Sequence, residues 1–227
     1  LGLGEVPSSN LGRSIFIKMS DFQKFEPSLM SSIDILIKDL KLEIGDGNQK
    51  FFNEGFIQFK LAKNLKNHQI QENLIRLGYQ LRLTGHKRPF KIDLSVNDCL
   101  FVELKFLRLG DREEKPAKTK KFGELWKDIA KLSYNEISYN KKIINYVLLF
   151  CDKMFFDYLS SNFPSMCKNK NFILRNGDII GIKKKILETP TIKKELKGLE
   201  LNRINQLEIL QNSSLGENLN ILLYKVS

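Results

Sequence analysis

With 227 residues, 42% of them hydrophobic and 28% charged in mixed sign, the chain is long enough to bury one good core and short for two, so one compact domain is expected. The longest apolar run, around Tyr146 to Cys151, is far shorter than the roughly 20 residues that a membrane-crossing helix needs. The 37 Lys and Arg against 26 Asp and Glu leave a formal net charge of +11, which favours a polyanionic partner, nucleic acid first; the plainer origin is a Lys-, Asn- and Ile-rich composition. Cys99, Cys151 and Cys167 are odd in number, lie in or beside apolar runs and show no CxxC spacing. Neither a disulfide framework nor a zinc knuckle follows, and a reducing, cytoplasmic setting is expected.

Residues 1–18 carry no secretory pattern and no periodicity, and are set aside as a leader ahead of Met19-Ser20-Asp21. After Pro27, a good first-turn residue, Leu29, Ile33, Leu36, Ile37 and Leu40 fall at helical spacing until Gly45-Asp46-Gly47. A second helix opens at Asn53, an N-cap residue, and lines up Ile57, Leu61, Ala62 and Leu65, with Glu54 at the top of that buried stripe. The plainer role of Glu54 is that of an acidic first-turn residue favoured by the helix dipole. Extended segments are predicted over 70–75, 79–83, 90–96 and 99–106, with turn signals at Gly78, at Thr84 to Pro89 and at Asn97-Asp98, which makes the middle a β-meander. A polar Lys-rich loop follows, then a helix over 122–132 with Leu125, Ile129 and Leu132 on one side. Val147-Leu148-Leu149-Phe150 reads as a strand buried on both faces. Beyond it a helix is predicted over 154–163, a hairpin over 172–186 turning at Asn176-Gly177-Asp178, a charged helix or loop over 192–210 and a last strand over 220–226.

Two of the extended segments carry chemistry. In Phe90-Lys91-Ile92-Asp93-Leu94 and Phe101-Val102-Glu103-Leu104-Lys105-Phe106, charges interrupt apolar strands. Strand alternation puts Glu103 and Lys105 on one face and Val102, Leu104 and Phe106 on the other. A hairpin about Asn97-Asp98 brings Asp93 close to that charged face. Two carboxylates so close raise each other's pKa and are relieved by the ammonium or by a divalent cation, and Mg²⁺ takes such oxygen ligands. Asp93 and Glu103 are therefore the candidate metal ligands, and Lys105 is placed to orient a metal-bound water or to stabilise charge on a phosphoryl oxygen. That is equipment for phosphodiester hydrolysis, although an edge strand also carries Glu-Lys pairs merely to stay soluble.

In this order of elements the chain resembles the PD-(D/E)XK nuclease superfamily over roughly residues 53–163. The matching elements are Asn53-Glu54, Ile92-Asp93-Leu94, Val102-Glu103-Leu104-Lys105-Phe106 and the helix Leu125-Trp126-Lys127-Asp128-Ile129-Ala130-Lys131-Leu132. It departs at Lys91-Ile92, where the name-giving motif has a proline, Pro89 standing two residues too early. The resemblance implies an α/β restriction-endonuclease-like core with a mixed central sheet flanked by helices. It implies Mg²⁺, or Mn²⁺ in its place, on Asp93 and Glu103, Lys105 acting on the nucleophilic water, and Glu54 supporting the site and its metal from the first helix. Glu72, on the first predicted strand, is the other upstream carboxylate able to reach Asp93.

Asp128 and Lys131 are read as a solvated surface pair at i, i+3, and Trp126 as core rather than a base-stacking platform. Lys115, Lys118, Lys120 and Lys121 leave the Lys105 strand in a loop beside the site, as phosphate contacts or as a merely soluble stretch. His68 and His86 lack the partner spacing of a His-metal site. The domain reading is an N-terminal helical extension over 19–50, a nuclease core over 51–165 and a C-terminal addition over 166–227. The function expected is a Mg²⁺-dependent DNA endonuclease of a restriction or phage-defence system, working as a homodimer with no membrane and no small-molecule cofactor. The alternatives are an RNA-directed or nicking subunit of a larger complex, and an inert basic nucleic-acid-binding module.

Overall fold

The computed structural model describes residues 19–45, 52–81, 89–107, 115–134, 143–162, 173–175, 188–199, 204, 206–216 and 218–227. The leader 1–18, the turns expected at 84–88 and at 176–178, His86 and Cys167 lie outside them. In chain order the elements are α1 (Met19–Gly45), α2 (Glu54–Asn67), β1 (Ile75–Leu81), β2 (Phe90–Val96), β3 (Leu100–Leu107), α3 (Lys115–Ser133), β4 (Ile144–Asp152), α4 (Lys153–Asn162), β5 (Ile173–Arg175), α5 (Pro190–Glu195), β6 (Gln206–Ser214) and β7 (Leu219–Val226). The strands form one open sheet in the order β1-β2-β3-β4-β7-β6-β5. Its β3–β4 pair is parallel and its other pairs are antiparallel, so the protein is α/β with a mixed sheet between helices.

Strand alternation sorts the core into two layers. Val102, Leu104, Tyr146, Leu148, Ile221 and Leu223 pack with the apolar stripes of α1 and α2, while Phe101, Val147, Leu149, Leu222 and Tyr224 pack with those of α3 and α4. β4 is buried on both faces along nearly its whole length, as its unbroken apolar run requires. No helix among the described residues is long and apolar enough to cross a membrane.

The sequence expectations need correcting at several elements. α1 starts at Met19 and carries Pro27 inside it rather than in its first turn; burial of Phe25, Leu29, Ile33 and Leu36 offsets the backbone hydrogen bond that a proline removes. The stripe of α1 belongs to the same core as β4 and β7, so the segment expected as an extension is one layer of the fold. β7, from the segment expected as an addition, pairs with β4 from Asn145↔Val226 to Asp152↔Leu219. The strand expected over 70–75 is not there as such: a short 3₁₀ turn, Glu72–Leu74, leads into β1, which begins at Ile75. Within 192–210, strand β6 begins at Gln206. The Lys-rich segment expected as a loop forms the first turns of α3.

Candidate functional site

The hairpin forms where Asn97 and Asp98 place it. Their φ values of 50° and 52° are both left-handed, the geometry that matches the twist of a two-residue hairpin. The Cys99 N–H donates to the Val96 carbonyl at 3.2 Å, and Arg76 of β1 pairs with Asp98 at 3.0 Å. Pairing of β2 with β3 runs from Val96↔Leu100 to Leu94↔Val102. There it stops, at the step where Asp93 and Glu103 come next in register.

Side chains take over from the ladder at that step. The Leu104 N–H donates to Asp93 Oδ2 at 2.8 Å, and the Asp93 N–H donates to Glu103 Oε2 at 3.3 Å. On the other side of β2, the β1–β2 pairing passes from Leu77↔Leu94 to Tyr79↔Ile92, and between them Gly78 faces Asp93 with φ +65°. The side-chain amide of Gln58, from α2, donates to the Asp93 carbonyl. Packing changes face at the same step: Ile75, Leu94 and Val96 lie on the α1–α2 side, whereas Tyr79, Leu81 and Ile92 lie on the α3 side. Asp93 thus sits on a local break in the sheet, its main chain bonded by Glu103 and Gln58.

Glu103 and Lys105 point to the α3 face, as alternation requires, and there they meet Asp128 and Lys131. Lys131 Nζ lies 2.5 Å from Glu103 Oε1, 3.2 Å from Asp128 Oδ1 and 3.0 Å from the Lys91 carbonyl. Lys105 Nζ lies 2.8 Å from Asp128 Oδ2. Asp128 and Lys131 are only 2% and 4% exposed, so the solvated surface pair expected for them is overturned: they form the floor of the site. The sequence held a signal, because Asp128 stands three residues after Leu125 and four before Leu132, on the apolar stripe itself. Trp126 is fully buried, with its ring edge-on to Phe122 at 6.1 Å, and is core.

Burial works against every charge in this cluster. It raises the Asp93 carboxyl despite the Leu104 N–H and Lys131. It pushes Glu103 up to about 8, with Asp128 and Asp93 adding and Lys131 opposing. For Asp128 the two lysines outweigh burial and hold the acid below its ordinary value. For Lys105 and Lys131 the carboxylates outweigh burial and hold the ammonium above its ordinary value. Three carboxylates against two ammoniums leave the ionised cluster one negative charge in excess, a charge that a proton or a cation must meet.

Glu54 differs from its expected setting. It is exposed rather than part of the buried stripe, and its carboxylate accepts the Phe106 N–H of β3 at 3.0 Å. From there it still acts on Lys105 electrostatically. Asn53 caps α2 as expected, accepting the Phe56 N–H at 2.9 Å. Glu72 instead pairs with Lys66 at 2.9 Å, its side chain 78% exposed. Lys118 and Lys121 are half-buried and Lys120 is exposed on α3, of which Lys115 is the first residue. His68 is the C-cap of α2.

Among the described residues, no three His, Cys, Asp or Glu side chains converge as a metal cage. Mg²⁺ needs no such cage, since it binds through one or two carboxylates and keeps several waters. Asp93 and Glu103, with an excess negative charge around them, have the donor chemistry for it. Comparison with protein-family models, with curated proteins and with solved structures finds no match.

Proposed function

We propose that this protein is a metal-dependent nuclease of the restriction-endonuclease-like PD-(D/E)XK kind, hydrolysing phosphodiester bonds in DNA. One observation carries the reading: Asp93, Glu103 and Lys105 meet at a break between two sheet strands, over a buried floor that fixes the lysine. Asp93 and Glu103 would hold the cation, which when bound lowers the pKa of a water toward neutrality. Lys105 serves as a fixed positive charge rather than a base, because Asp128 keeps it protonated. Its place is beside the charge that develops on a phosphoryl oxygen. Glu54 ties the start of α2 to the end of β3.

A second reading, a catalytically inert nucleic-acid binder, has one observation in its favour: Glu103, Lys131, Asp128 and Lys105 already form a chain of ion pairs as they stand. A cleavage assay on plasmid, linear duplex, single-stranded DNA and RNA separates the two and assigns the substrate. Cleavage is expected with Mg²⁺ or Mn²⁺ and not in chelator. Lys105→Ala is expected to lose about a hundredfold or more in turnover while binding DNA nearly as well, since its effect is confined to the transition state. Cleavage in chelator, or Lys105→Ala cutting at the wild-type rate, would overturn the nuclease reading; no cleavage of any substrate would leave the binder.

A further inference from the structure

Lys131 is tightly held. The residue is 4% exposed and its ammonium meets three oxygens, with Glu103 Oε1 at 2.5 Å, the Lys91 carbonyl at 3.0 Å and Asp128 Oδ1 at 3.2 Å. It thus sits on an oxygen of the carboxylate that the proposed metal needs. The other oxygen of Glu103 already accepts the Asp93 N–H. Two cations on one small carboxylate repel strongly where water is excluded, so Lys131 and a divalent ion compete for Glu103. Lys131 has somewhere to go, because Asp128 Oδ1 is already in reach and the Lys91 carbonyl, 3.0 Å away, serves as a pivot.

We propose that Lys131 is the resident counter-cation of the site: it occupies Glu103 while no metal is bound, and passes to Asp128 to yield Glu103 to a divalent cation. This rests on the nuclease reading. Under it Lys131 and Asp128 are positioning residues that set how tightly the site takes its metal. Neither touches the scissile phosphate. The arrangement also accounts for Asp128 facing two lysines at once, since it holds Lys105 through one oxygen and offers the other to Lys131.

The test is Mn²⁺ binding to the whole chain without nucleic acid, at a pH above the value of about 8 to which burial pushes Glu103, followed by the resonance signal of free Mn²⁺. Lys131→Met is expected to bind Mn²⁺ about tenfold tighter or more. Lys105→Met removes the same charge from the other end of the chain of ion pairs, and is expected to change binding by less than about threefold. Asp128→Asn takes away the negative charge that draws Lys131 over, so Lys131 stays on Glu103 and binding weakens. In that background Lys131→Met must therefore restore binding by a larger factor than it gains in the wild type. This double variant drops one charge of each sign and keeps the test open if Lys131→Met alone does not fold. If the two lysine variants act alike, or the step from Lys131→Met is the same in both backgrounds, Lys131 is only part of the general field and the proposal is overturned. If wild type and every variant bind no Mn²⁺ at millimolar concentration, the metal reading itself falls, and this proposal with it.

Discussion

At Glu103, burial and the carboxylates of Asp128 and Asp93 push the acid up to about 8 against the pull of the Lys131 ammonium. A carboxyl whose folded-state pKa lies above its unfolded value of 4.5 binds its proton more tightly in the folded protein. It stabilises the fold below the unfolded value and costs stability as pH rises through the window up to the folded one. Asp93 shifts the same way, whereas Asp128 is lowered and acts only in more acid solution. In chelator, the unfolding temperature is therefore expected to fall between about pH 5 and pH 8. Glu103→Gln flattens that fall, and Mg²⁺ reverses it in the wild type only. Thermal unfolding across this range checks it, and a wild-type curve that is flat or rises with pH would remove the excess buried negative charge from the account. Asp93, Glu103 and Lys105 were legible in the sequence because a charge inside a strand has a defined face. Asp128 and Lys131 were not, because an i, i+3 ion pair has the same spacing whether its helix face is wet or dry. Only the position of Asp128 on the stripe of Leu125 and Leu132 distinguishes the two.

At the scale of the element, the site depends on a defect in β1 and β2 as much as on the residues it carries. Gly78 reads in sequence as a turn, and it does adopt a turn conformation, with φ +65°, yet it does so within strand β1 opposite Asp93. A Cβ there would lie 2.8 Å from Lys91 Cε, the flexible end of a side chain that can swing away, so the cost of a substitution lies in the backbone. Gly78→Ala is expected to cost about 1–2 kcal/mol in urea unfolding. Gly55, in the first turn of α2, meets nothing closer than Asn53 Oδ1 at 3.4 Å; Gly55→Ala is expected to be neutral or to stabilise by about 0.4–1 kcal/mol. Equal effects from the two would mean that the strand is not bent at Gly78. The strands themselves were the most legible elements, β2 matching its expected 90–96 span, because apolar runs bounded by turn residues mark both ends. The starts of α1 and α3 were hidden. Pro27 looks like a first residue although it lies inside α1, and a Lys-rich first turn looks like a loop although lysine is a good helix former. β6 is hidden in the sequence because Gln211, Asn212, Ser213 and Ser214 have the composition of a turn, and its pairing with β7 supplies what propensity lacks.

At the scale of the whole molecule, the charge of the site opposes the net charge of the chain. The chain carries a formal +11, while the cluster of Asp93, Glu103, Asp128, Lys105 and Lys131 sums to one negative charge when all five are ionised. The excess positive charge therefore lies outside the site. On the nuclease reading, net charge of this sign would draw a polyanion, and a negatively charged site would take up a cation before it tolerates a phosphate. α3 joins the two regions: Lys131 meets Glu103, and Asp128 meets Lys105, so the helix runs against the direction of β3. Three- and four-residue steps back from Asp128 reach Glu124, Lys121 and Lys118 on the same side, beyond Lys105. Three phosphate contacts by Lys118, Lys120 and Lys121 would give a salt slope near −2.7, or about a fortyfold loss of duplex affinity from 50 to 200 mM salt. Replacing the three by Ala should lower the slope by about that amount without changing Mg²⁺ dependence. The check is a binding titration at four salt concentrations, with wild type and the triple variant side by side. A wild-type affinity indifferent to salt would assign the +11 to composition alone. A slope that survives the triple variant intact would move the nucleic-acid path off α3 to another face of the protein.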